Sequence, residues 1–166
     1  MAALRFAVSM IRLVLVVVLA SAQDAAKPSQ AEIAAVKTCL DGSDRDTSYR
    51  DCVGKAVDVC LASDLTGGVV YECQQREIAI WDDSLNAHYD ELRRHLPPPQ
   101  FERLRGVQRA WIAYVDRKGA FPDVGSSGSN SRFKYVNGCR LEETARRMSE
   151  LRGLREWAAE RHWLNE

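Results

Sequence analysis

Two stretches, Cys73-x3-Glu77-x3-Trp81-Asp82-x2-Leu85-Asn86-x2-Tyr89 and Gln108-Arg109-Ala110-Trp111-Ile112-Ala113-Tyr114, set the fold of this chain. Each carries large apolar residues at helical spacing with polar residues between them. Only Pro97-Pro98-Pro99 and a short polar segment separate them. Ile78, Trp81, Leu85, Tyr89 (or His88), Leu92 and Leu96 form one apolar stripe with Glu77 beside it, which predicts a helix over about 69–96. The prolines stop it, because proline lacks the amide and excludes the helical conformation before it. With the last proline at its first position, a second helix is expected to run to about Lys118, with Phe101, Leu104, Val107, Trp111 and Tyr114 or Val115 inward. Gly119 reads as its C-terminal cap, and Gly106 hints at a close helix contact.

Outward from this hairpin the pattern stays helical. Ile33, Val36 and Leu40 predict a short helix within 31–40, and 47–63 reads as a second one ending near Thr66-Gly67-Gly68, where Thr66 can cap the next helix. Residues 120–134 are rich in glycine and serine and read as a long surface loop. A final helix is expected over about 135–163, with Leu141, Ala145, Met148, Leu151 (or Arg152) and Leu154 on one face. No segment alternates with period two, so the fold class is all-α: a small helical domain built on a long hairpin plus a C-terminal helix.

The first residues predict a compartment. Arg5 and Arg12 precede or flank the apolar run Leu13–Leu19, and Ala20-Ser21-Ala22 is a small-x-small site, the order of a secretory signal peptide over 1–22. The run is shorter than the roughly 20 residues of a membrane span, and the place of a lipid-bearing cysteine is taken by Ala22. A secreted or periplasmic chain of residues 23–166 is expected, forming one domain without membrane association. Losing Arg5 and Arg12 changes 23 basic against 23 acidic residues to 21 against 23, a net charge of about −2. That balance, without a basic patch interleaved with aromatics, argues against nucleic-acid binding.

Cys39, Cys52, Cys60, Cys73 and Cys139 all follow the cleavage site, and disulfides are their expected state in an oxidising space. The short interval suggests Cys52–Cys60 with Cys39–Cys73, which leaves Cys139 as a free thiol or an intermolecular bridge to a second copy. The absence of CxxC, and of histidines at ligand spacing from a cysteine, speaks against a metal centre, and no cofactor is expected.

Catalytic readings are weak. Glu77 and Asp82, at i and i+5, point about 140° apart and do not converge on one glycosidic bond. Neither a nucleophile constellation nor a phosphate-cradling loop is visible, so the chain is expected not to be an enzyme. Asn86, with Gln108 and Arg109, is expected to bridge the two hairpin helices by hydrogen bonds. Trp81, Trp111 and Tyr114 would offer an aromatic surface for sugar or peptide, but their places on the inward stripes favour core packing.

The segment Cys73–Tyr89, the run 108–114, and Cys139-Arg140-Leu141-x2-Thr144-x-Arg146 with Leu151 beyond resemble the LprI-type lysozyme inhibitor N-terminal domain family. Cys52-Val53-Gly54 to Cys60, with the Thr66-Gly67-Gly68 turn, resembles a longer, cysteine-rich branch, so the likeness covers about 39–154. It implies a small secreted or periplasmic helical domain acting by protein contact on lysozyme. The alternative is a structural or interaction protein of the bacterial envelope that joins another envelope protein through Cys139 or the Trp157/Trp163 tail. The family's Tyr-Arg-Asp-x-x-Cys is here Tyr114-Val115-Asp116-Arg117-Lys118-Gly119, and the resemblance implies that the absent cysteine was the partner of Cys139. The 120–134 loop, with Phe121, Asp123, Ser126, Asn130, Arg132 and Lys134, is the candidate partner-binding segment. A basic side chain at its far end could meet carboxylates of a lysozyme cleft.

Overall fold

The computed structural model describes residues 27–42, 48–62, 69–120 and 129–161. Its helices are α1 (Gln30–Gly42), α2 (Ser48–Cys52), α3 (Lys55–Leu61), α4 (Val69–His95), α5 (Pro98–Ala120) and α6 (Ser129–Glu160), with no strand among the described residues. The signal peptide, its cleavage site, Thr66 and Trp163 lie outside them. None of these helices is long and apolar enough to cross a membrane.

The expected stripe forms the buried face of α4: Cys73, Trp81, Leu85 and Leu92 are buried, and Leu96 follows in the turn. Arg93 and Arg94 occupy its last turn, where their positive charges face the carbonyl end of the helix dipole. Leu96 N–H still donates to Leu92 C=O at 2.9 Å, after which Pro97 turns the chain. Pro97 C=O accepts from both Gln100 and Phe101 N–H at 3.0 Å, so Pro97 caps α5 and Pro98, rather than the last proline, opens it. Tyr89 and Phe101 stack tilted, with centroids 5.6 Å apart, and hold the closed end of the hairpin.

The C-terminal helix α6 lies along α4 and also touches α5 and α2. Leu141, Ala145, Met148, Leu151 and Ala158 join Val36, Cys52, Ala56, Trp81, Leu85, Leu92, Leu96 and Leu104 in one core. Because α6 meets neighbours on more than one side, it also buries Asn137, Glu143, Thr144 and Arg147.

The N-terminal helices brace the other end of α4. Ser29 and Glu32 form a reciprocal cap: Ser29 Oγ accepts from Glu32 N–H at 3.2 Å, and Glu32 Oε2 accepts from Ser29 N–H at 2.5 Å. Glu32 also receives Arg76 Nε of α4 at 3.0 Å. The single short helix expected over 47–63 is instead two, because Gly54 turns the chain with φ 97°, a left-handed conformation that favours glycine.

That break redirects the cysteines. The disulfides are Cys39–Cys52 and Cys60–Cys73, with Cα separations of 5.6 and 5.7 Å, not Cys52–Cys60 and Cys39–Cys73. Cys52 ends α2 and meets α1, whereas Cys60 sits beyond the turn on α3 and meets α4. Cys139 carries no disulfide and is half-buried.

Helix α5 departs from its expected facing. Leu104 and Val115 are buried, with Phe101 and Trp111 packed against the core, but Val107 is 53% and Tyr114 45% exposed. Two apolar faces compete on this helix, and the one through Leu104, Trp111 and Val115 wins the interior. A Cβ on Gly106 would meet nothing within 4 Å, so that glycine marks no close contact. Gly119 lies inside the helix, which continues to Ala120, and a Cβ there would meet Val136 Cγ1 at 3.6 Å.

Both ends of the expected 120–134 loop are helical: Ala120 belongs to α5, and 129–134 are the first turns of α6. Serine and asparagine favour a helix start as much as a loop. Asn130, Arg132 and Lys134 therefore lie on helical backbone, while Phe121, Asp123 and Ser126 lie outside the described residues.

Candidate functional site

The signature residues divide into those that hold the scaffold and those that line a surface. Glu77 is fully buried on the α4 stripe, one turn from both Cys73 and Trp81. Its Oε1 accepts from Gly54 N–H at 2.6 Å and Trp81 Nε1–H at 3.1 Å, and its Oε2 accepts from Val57 N–H at 2.8 Å. Glu77 thus supplies, from α4, the cap that Gly54 has no side chain to give α3. Asp82 is exposed on another face of the helix, so the two acids do not meet.

The expected bridge between the hairpin helices is not made by Asn86, Gln108 and Arg109. Asn86 Nδ2 donates to Asp82 Oδ2 one turn back at 3.0 Å, on the surface. Gln108 Oε1 instead accepts from Arg147 Nε of α6 at 2.9 Å, and Arg147 Nη1 reaches Glu150 at 2.9 Å. Arg109 is exposed. Gln108 and Arg147 are far apart in the chain, and only the packing of α5 on α6 brings them together.

A second buried acid ties α5 to α6. Glu143 accepts from Lys118 Nζ at 2.5 Å, from Arg146 Nη2, and from Tyr114 Oη–H at 3.4 Å. The hydrogen bond to Glu143 pushes the Lys118 pKa upward, and Tyr114 adds to it. Cys139 lies beside this cluster. Burial pushes its thiol pKa up, with the Lys118 charge pulling the other way. Among the described residues no three His, Cys, Asp or Glu side chains gather closely enough to hold a metal ion.

Away from its closed end the hairpin and α6 frame an open groove. It has a volume of about 380 Å³ and is floored and walled by Gln75, Ile78 and Ala79 of α4, Trp111, Ile112 and Val115 of α5, and Thr144 of α6. Asp82, Asp116 and Arg140 stand at its edges. Ile112 is 49% exposed, and Trp111 buries its Nε1 with no hydrogen-bond partner. Gln75 donates to Asn137 Oδ1 at 3.0 Å, and Thr144 Oγ1–H donates to Arg140 C=O at 2.8 Å, so the polar lining is largely fixed. Val115, standing where the family pattern has arginine, is buried in the groove wall. Ile112 and Asp116 lie one turn apart on α5. That spacing was visible in the sequence, but their sharing one groove with Asp82 of α4 was not.

No curated protein and no solved structure shows significant similarity to the chain. The family model described as lysozyme inhibitor LprI matches residues 60–151, more than half of the chain, from the end of α3 through most of α6. With its signature acids and aromatics placed in an all-helical, disulfide-bridged scaffold, the chain belongs to the LprI lysozyme inhibitor family.

Proposed function

We propose that this chain is a secreted or periplasmic protein that binds lysozyme and inhibits it by contact, without chemistry of its own. The observation that carries this reading is the family match over residues 60–151, the span that contains every residue of the α4–α5–α6 groove. Two disulfides fit an oxidising compartment, and the sequence of residues 1–22 fits export. The test is the rate at which lysozyme clears a cell-wall suspension in the presence of the purified chain. Inhibition that saturates near equimolar ratio is expected; full lysozyme activity at micromolar excess of the chain would sink the reading.

A second reading rests on Cys139, which carries no disulfide. In it the chain joins an envelope partner, or a second copy, through that thiol. Half-burial and a raised thiol pKa slow thiolate chemistry and weigh against this reading. A titratable thiol on a monomeric band in non-reducing electrophoresis is expected, whereas a Cys139-dependent dimer would favour the rival.

A further inference from the structure

We propose that the groove between α4, α5 and α6 seats a lysine or arginine side chain of a basic protein partner, its stem against Ile78 and Ile112 and its charged head between Asp82 and Asp116. The proposal rests on the lysozyme-binding reading above and gives that contact a location.

The groove has the two properties such a side chain needs. Ile78, Ala79, Ile112 and Val115 give it an apolar wall, and almost half of Ile112 is left uncovered. Lysine and arginine bury their methylene stems on such a wall while the charged end stays at a polar rim. The rim is acidic on both sides: Asp82 on α4 and Asp116 on α5 are both exposed. Among the described residues Asp82 accepts only from the neutral amide of Asn86. Asp116 meets Arg140 at 3.6 Å with both side chains more than half exposed, a kind of pair that contributes little and exchanges readily. Arg140 is the one cation in the lining, against two carboxylates, so the edge favours an incoming positive charge.

Size and shape agree. A volume of about 380 Å³, open to the surface, admits one long side chain with part of its backbone. Arginine suits it better than lysine, because its planar fork pairs with a carboxylate through two parallel hydrogen bonds.

Affinity for lysozyme, measured by titration calorimetry at low and high salt, tests the proposal with the variants Asp82→Asn/Asp116→Asn, Ile112→Ser and Asp83→Asn. All four positions are exposed, so the variants are expected to fold. The double variant is expected to weaken binding by about tenfold or more at low salt and to flatten the salt dependence. Ile112→Ser is expected to weaken binding without changing the salt slope. Asp83→Asn removes a neighbouring charge that lies outside the groove lining, and should stay within about twofold of the parent. Parent binding that the double variant leaves intact would overturn the groove and spare the lysozyme reading. An equal loss from Asp83→Asn would also overturn it, in favour of general charge steering. Self-association of the free chain that the double variant abolishes would assign the groove to a second copy instead. No binding by the parent chain would overturn both readings.

Discussion

Replacing Glu77 by glutamine tests whether this signature acid belongs to the scaffold. The side chain keeps its size, and its amide oxygen can still serve Gly54 N–H and Trp81 Nε1–H, which now share Oε1 at 2.6 and 3.1 Å. The amide nitrogen then faces Val57 N–H, the donor now held by Oε2 at 2.8 Å. One buried donor loses its acceptor, which costs about 1–3 kcal/mol, and two remaining bonds lose the charge that strengthened them, roughly 1 kcal/mol each. The sum, about 3–5 kcal/mol, is a large share of the ~5–15 kcal/mol that holds a domain of this kind folded. For a chain of this length it corresponds to a fall in Tm on the order of 10 °C. Urea unfolding of the oxidised protein, followed by far-ultraviolet circular dichroism, reads the change as a shift in midpoint at constant slope. A loss under about 1 kcal/mol would refute the buried-cap reasoning. So would a stable Glu77→Gln protein that no longer binds lysozyme, since that outcome assigns the acid to the interface.

Three further outcomes follow from the same geometry. Gly54→Ala meets no atom within 4 Å, so its cost is backbone strain alone, about 1–2 kcal/mol in the same unfolding experiment; a neutral substitution would contradict the left-handed turn. Cys60→Ser/Cys73→Ser opens one bridge and should cost about 3 kcal/mol while Cys39–Cys52 survives; non-reducing peptide maps that join Cys52 to Cys60 would overturn the pairing. Burial, reinforced by Arg155, lowers the His88 pKa below the ordinary 6.5. The unfolded chain therefore takes up that proton first as pH falls, so the His88 contribution is complete above pH 6.5 and is lost as pH falls from there toward the folded pKa. The Tm of the parent should drop more steeply than that of His88→Gln between about pH 7 and about pH 5, and parallel slopes would refute the assignment.

The parts of the fold legible in the sequence are those written in local periodicity. Trp81, Leu85, Leu92 and Leu96 recur at helical spacing, and Pro97 ends the run, so α4 and the turn are found where the pattern puts them. Where two patterns compete, the local code is ambiguous. Val107 and Tyr114 are spaced for burial as well as Leu104 and Val115 are, and only the position of α6 decides which face is covered. Four cysteines allow three pairings, and the choice depended on a left-handed glycine that composition does not announce. Glu77 carried a readable signal that the expected stripe passed over: an acid one turn from both Cys73 and Trp81 lies on the buried face, not beside it. Its partners, Gly54 and Val57, lie more than five helical turns' worth of sequence away and could not be named from it. The groove is harder still, because Asp82 and Asp116 come from separate helices and line one surface only through packing.

Chemical-shift mapping of the isotopically labelled chain with unlabelled lysozyme tests the central claim most directly. Perturbations centred on Ile78, Asp82, Ile112 and Asp116, with Glu77 and the α1–α3 brace unmoved, are the expected result. A footprint confined to residues 121–134 or to the N-terminal helices, with the groove silent, would contradict it.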